Sequence, residues 1–170
     1  MSDSSNNKFN KSLNLFELND QLDFLINLHK SSKLPKVLML SGPKGYGKST
    51  MVNHFLNFVY DKDNYDLKKN IINKDSFFYK QFLNNTFPNI IFLSGEDFKN
   101  LKVDNIRELK SILLKSTILD KERFIILDDV ELFNKNSLNA LLKIIEEPTH
   151  KNFFILINNK TRLIIETIQS

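Results

Sequence analysis

Gly42-Pro43-Lys44-Gly45-Tyr46-Gly47-Lys48-Ser49 matches the pattern G-x-x-x-x-G-K-[ST]. The chain spends its glycines there: only four occur in 170 residues, and three fall in this window. A short apolar run, Val37-Leu38-Met39-Leu40, enters the stretch. Met51, Val52, Phe55, Phe58 and Val59 follow it at helical spacing between Lys48 and Tyr60. Strand, glycine loop, helix is the setting in which the pattern has chemical meaning. Glycines let the backbone curl so that successive N–H groups point inward and accept a phosphate, and the next helix turns its N-terminus to the same anion. In such a loop Lys48 reaches the β- and γ-phosphates and the Ser49 hydroxyl serves Mg²⁺.

The pattern continues outward. Leu15, Leu18, Leu22, Leu25 and Leu28 have helical spacing, and Leu34-Pro35 ends that segment. Apolar runs at Asn89–Leu93, Phe124–Leu127 and Phe153–Ile157 read as three more buried strands. Between them, Val103, Ile106, Leu109, Ile112 and Leu113 mark one helix, with Asp104 near its start, and Leu138, Leu141, Leu142, Ile144 and Ile145 mark another. Residues 61–87 are hard to read, with a loop at Asp61–Asn64 and a short helix at Phe77–Phe82, and a last helical turn includes Leu163 to Ile165. Strands alternating with helices predict an α/β fold, a parallel sheet with helices on both faces. Residues 1–12 read as a disordered polar tail and 13–170 as one core.

Composition sets the limits. The formal charge is +4, but Lys, Asn, Ile and Phe are all abundant while Ala occurs once and Arg three times. That bias follows AT-rich codons, so a weak positive charge permits nucleic-acid contact without demanding it. With no Cys, disulfides and thiolate metal sites such as zinc modules are excluded. The apolar runs fall far short of the roughly 20 residues that span a bilayer. The polar N-terminus carries no signal-peptide core, so no membrane partner and a cytoplasmic location are expected.

Polar residues follow the strands at Ser41-Gly42, Asp128-Asp129 and Asn158-Asn159. In open α/β sheets the ligand crevice lies at these carboxyl ends. Asp128 closes an apolar strand, as a Walker B aspartate holding Mg²⁺ does. Asp129 stands where an ATPase places the base that polarises water; it is one methylene shorter than Glu and either serves or falls short of the roughly 3 Å reach required. Asn158 and Asn159 read either as γ-phosphate contacts or as a turn.

With these elements in order, the chain resembles the AAA+ family and, within it, the clamp-loader subunits. Asn139-Ala140-Leu141-Leu142-Lys143-Ile144-Ile145-Glu146-Glu147-Pro148 is similar to the N-A-L-L-K-x-L-E-E-P signature of the bacterial polymerase III subunits. Val103-Asp104-Asn105-Ile106-Arg107-Glu108-Leu109 resembles their V-x-x-I-R-E-L helix, and Thr167-Ile168-Gln169-Ser170 the start of T-I-x-S-R-C. The resemblance implies an AAA+ sheet of about five strands. It implies ATP phosphates bound by Gly42, Pro43, Lys44, Gly45, Tyr46, Gly47, Lys48, Ser49 and Thr50, Mg²⁺ held by Ser49 and Asp128, and Asn159 as a sensor of the γ-phosphate. The implied partners are other clamp-loader subunits in a ring, a sliding clamp and primer-template DNA.

Three departures refine it. Relatives often carry a four-Cys zinc module where residues 61–87 stand here, so that region is expected to fold without zinc. The family's Asp-Glu pair is Asp128-Asp129, which favours the delta-prime type of subunit, a weak or silent ATPase, over an active gamma/tau or replication-factor-C type of motor. The segment ends at Ser170, before the arginine that would act on a neighbour's ATP and before the lid and collar domains. A structural stator without turnover is the third reading, opposed by the intact Lys48 and Ser49.

Overall fold

The computed structural model describes residues 12–95, 103–115, 117, 119–146 and 151–160. In chain order the elements are α1 (Asn19–Lys30), β1 (Val37–Ser41), α2 (Lys48–Tyr60), β2 (Tyr65–Asp66), β3 (Ile71–Ile72), α3 (Phe77–Leu83), β4 (Ile90–Ser94), α4 (Val103–Leu114), β5 (Arg123–Asp128), α5 (Lys135–Ile145) and β6 (Asn152–Asn158). Short 3-10 turns occupy Lys62–Asn64 and Val130–Leu132. The chain divides into two compact units: residues up to Leu34 with Gly47–Phe87, and Pro35–Tyr46 with Pro88 onward.

The second unit holds a four-stranded sheet in the order β1-β6-β5-β4, every pair parallel. Four strands are described, against about five expected. Central β5 and β6 show why these runs read as continuous apolar stretches rather than alternating ones. Phe124, Ile125, Ile126 and Leu127 are all 0% exposed, so both faces of the strand are covered. On one face Ile125, Leu127, Phe154 and Leu156 pack with Leu109 and Leu113 of α4 and Leu138, Leu141, Ile144 and Ile145 of α5. Helix α5 starts where Asn134 caps it, its side chain accepting the Ser137 N–H at 2.8 Å.

At the opposite end of the sheet from the polar strand ends, a buried arginine closes α4. Arg123 Nη1 donates to the carbonyls of Ile112 (3.0 Å) and Lys115 (3.3 Å), and Asn152 Nδ2 donates to that of Leu113 (2.9 Å). The orphan carbonyls of the last helical turn thus receive donors from the first residues of β5 and β6, and a cation there suits the helix dipole.

In the first unit, α2 keeps the predicted span, but its polar side is buried as well as its apolar one. Asn53, His54 and Asn57 are buried beside Val52, Phe55 and Leu56. Asn57 Nδ2 donates to the Asn53 carbonyl and to its side-chain oxygen, both at 2.9 Å. The helix expected from Leu15 starts at Asn19 instead. Leu15 is buried because the chain there runs along β3: the Ile72 N–H donates to the Leu13 carbonyl and Asn14 bridges Ile71. Residues 61–87 form the antiparallel β2–β3 pair and α3, whose Phe78, Tyr79 and Phe82 are buried and whose Phe78 stacks on Phe82, meets Phe87 edge-on and lies tilted against Tyr60. Two-residue strands carry too few positions for periodicity to reveal them. No helix among the described residues is long and apolar enough to cross a membrane. The expected tail at 1–11, the turn at Leu163–Ile165, the segment Thr167–Ser170 and Glu147-Pro148 lie outside the described residues, as does the side chain of Asp104.

Candidate nucleotide site

The parallel order places the carboxyl ends of β1, β6 and β5 side by side, which gathers Gly42, Asn158-Asn159 and Asp128-Asp129 at one sheet edge. The two asparagines, inseparable by sequence alone, do different things. Asn158 secures the loop entry: its carbonyl accepts the Gly42 N–H at 3.1 Å and its Nδ2 donates to Ser41 Oγ at 3.2 Å. Asn159 turns to the acids. Its Nδ2 donates to Asp129 Oδ1 at 2.7 Å and to Asp128 Oδ1 at 3.2 Å. Asp128, Asp129 and Asn159 are all buried.

Asp129 has a left-handed backbone (φ 52°), and its N–H donates to Asp128 Oδ1 at 2.9 Å. Asp tolerates this conformation better than most residues because its short side chain hydrogen-bonds locally. Lys44 Nζ lies 3.8 Å from Asp129 Oδ2, so both carboxylate oxygens of Asp129 have partners.

The loop behaves as its glycines require. Gly45 (φ 89°) and Gly47 (φ 75°) take left-handed conformations that a side chain would strain. Gly47 is the N-cap of α2, and a glycine brings no side chain to that helix end, which suits an anion as acceptor for its N–H groups. Lys48 and Thr50 are buried in the first turn, with Ser49 half-buried between them. Gly47 to Thr50 belong to the first unit; Gly42 to Tyr46, with Asp128, Asp129 and Asn159, belong to the second. Pro43, Lys44 and Tyr46 are exposed in the loop. Taken by itself, the glycine-capped helix end of the first unit suits a phosphate, and the paired carboxylates of the second suit a divalent cation.

Two further positions pack against the aspartate pair without a motif to mark them. The fourth glycine, Gly95, follows β4, and a Cβ there would stand 2.2 Å from the Asp129 carbonyl oxygen. Only glycine lets β4 pass beneath the aspartate turn. Glu131 is buried, and its Oε2 accepts the Asn159 N–H at 3.2 Å. The available signal was an acid inside the apolar run Val130-Glu131-Leu132-Phe133, directly after the aspartate pair.

Among the described residues, a parallel sheet with a glycine loop after β1 and an acid pair after β5 is the arrangement of a P-loop protein of the AAA+ fold. The DNA polymerase III gamma subunit-related protein of Thermotoga maritima has a similar structure, with a TM-score of 0.58 at 21% identity over 88% of this chain and 43% of that one. The chain belongs to the family described as DNA polymerase III, delta subunit, whose model matches residues 18–170. It is 31% identical over 86 residues to the DNA polymerase III subunit delta' of Pseudomonas aeruginosa, a match covering 50% of this chain and 26% of that protein. It is 30% identical over 79 residues to the DNA polymerase III subunit gamma of Buchnera aphidicola, covering 46% and 22%. The matched stretches thus span about a quarter of these relatives' lengths.

Proposed function

We propose that this chain is the nucleotide-binding part of a delta-prime-like clamp-loader subunit, which binds ATP with Mg²⁺ and helps place a sliding clamp on primer-template DNA in the cytoplasm. The family match over residues 18–170 carries this reading, and the chemistry of the strand ends supports it. Gly42–Thr50 would hold the phosphates, with Lys48 neutralising the β- and γ-phosphates and Ser49 and Asp128 holding Mg²⁺. Mg²⁺ supplies charge neutralisation on the terminal phosphates when bound. Asn159 would sense the γ-phosphate through its Nδ2.

Hydrolysis by this subunit is weak in this reading. Asp129 is shorter than the usual Glu, and its carboxylate is engaged by Asn159 and Lys44 rather than open toward a water. Other subunits of the ring, and the clamp, are its partners. The similarity to a gamma subunit supports a second reading, an active motor.

Titration of the chain with Mg-ATP, followed by single-turnover hydrolysis, separates these readings. Binding with slow or no turnover is expected. Rapid turnover favours the motor, and failure to bind favours a stator. Lys48→Ala is expected to abolish ATP binding, and unchanged affinity in that variant removes the phosphate-loop reading.

A further inference from the structure

All three N–H bonds of Asn159 point at carboxylates. Two, from Nδ2, go to Asp128 and Asp129, and the third, from the main chain, goes to Glu131 Oε2 at 3.2 Å. This fixes the amide orientation, because reversing it would set Oδ1 against two acids. The main-chain bond also replaces a missing strand contact. The β5–β6 ladder ends at Asp128 and Ile157, so Asn159 lies beyond the last rung, and a side chain takes the N–H there.

Glu131 is well placed for this. It sits in the 3-10 turn Val130–Leu132, which springs from the left-handed Asp129 and is closed by the Leu132 N–H on the Asp129 carbonyl at 2.9 Å. Gly95 packs beneath the same carbonyl, so the turn has little room to shift. Glu131 and Asn159 are each only 8% exposed. A carboxylate acceptor to N–H is stronger than a neutral one, whereas burying it is costly unless that bond is made.

We infer that Glu131 is a positioning residue for Asn159: it clamps the main chain at the end of β6 so that only the Asn159 side chain turns between the aspartates and a terminal phosphate. Glu131 itself touches no nucleotide. The inference rests on the nucleotide-binding reading above and deepens it.

Equilibrium titrations of the full chain with Mg-ATP and Mg-ADP test it, because a residue acting through the γ-phosphate sensor alters ATP and not ADP. Glu131→Ala is expected to lower the ATP-to-ADP affinity ratio by about fivefold or more, with ADP affinity unchanged. Glu131→Gln, whose amide oxygen still accepts the N–H, is expected to restore the ratio. The double variant Glu131→Ala/Asn159→Ala should do no worse than Asn159→Ala alone, since both act through one group. If Asn159→Ala lowers the ratio and Glu131→Ala does not, the positioning role is overturned while the sensor reading stands. If Asn159→Ala leaves the ratio unchanged, the sensor reading falls and the positioning role falls with it. Should Glu131→Ala lose its native circular dichroism, Glu131→Asp carries the same test. It keeps the charge and loses the reach, so its ratio should fall, and a parental ratio overturns the role.

Discussion

Gly95 shows how closely single atoms govern this site. A Cβ there would lie 2.2 Å from the Asp129 carbonyl oxygen and 2.9 Å from Leu132 Cβ. Backbone cannot yield as a flexible side chain does, so either β4 or the aspartate turn must move. Gly95→Ala is therefore expected to lower stability by at least about 2 kcal/mol, read as a fall in the urea midpoint. A midpoint unchanged from the parent would show that the turn accommodates a methyl group. The contrast with Gly45 is instructive: its added Cβ meets nothing within 4 Å, and its requirement for glycine comes from φ 89° alone. The motif identifies Gly45 and Gly47 because their spacing belongs to a local pattern. Gly95 matches no local pattern, because the carbonyl it must avoid is 34 residues away (129 − 95).

At the scale of elements, α2 carries a buried polar chain that periodicity could not reveal. Asn70 Nδ2 donates to Asn19 Oδ1 at 2.8 Å and its Oδ1 accepts from Tyr65 Oη at 3.1 Å. Tyr65 Oη in turn lies 3.0 Å from His54 Nδ1, which must be the donor because the phenol proton is already given to Asn70. This chain joins α1, α2, β2 and the turn before β3, and it buries His54 completely, which disfavours the charged ring. Burial lowers the His54 pKa from 6.5 to about 4. Between these values the unfolded chain binds a proton that the folded chain refuses, so stability rises with pH through that window and is fully present above its upper end. Acidification from neutral pH to about 4 should remove about 3 kcal/mol by this route. Urea denaturation at several pH values, with His54→Gln alongside, checks it: the variant should lose most of this slope. An equal slope in both proteins would place the acid sensitivity elsewhere. Burial of the same network also raises the Tyr65 pKa, with Asp23 and Asp66 adding to the shift, so the phenol stays protonated throughout.

For the whole molecule, the proposed nucleotide should act as a stabilising ligand of the folded chain. At a concentration 100 times Kd, a ligand that binds only the folded form adds about 2.7 kcal/mol. Mg-ATP is expected to raise Tm in the parent chain and to leave it unmoved in Lys48→Ala. A similar rise in both would mean that the ligand binds away from the phosphate loop.

From the sequence alone one reads the glycine-loop motif between strand and helix, four strands and the acid pair that ends one of them. Those features are encoded in contiguous residues: glycine spacing, uninterrupted apolar runs and the acid that ends one. The helices α2, α4 and α5 were legible for the same reason, since an apolar face repeats every three or four residues. Tertiary structure alone decided which asparagine serves the loop and which serves the acids, because their partners, Ser41 on one strand and the aspartates on another, are brought to them by the sheet. It also decided that Leu15 runs beside β3 instead of starting a helix, and that Glu131 and Gly95 belong to the aspartate turn. Each of these depends on groups brought together from distant parts of the chain by the parallel sheet or the β2–β3 pair, and no local pattern records such a meeting.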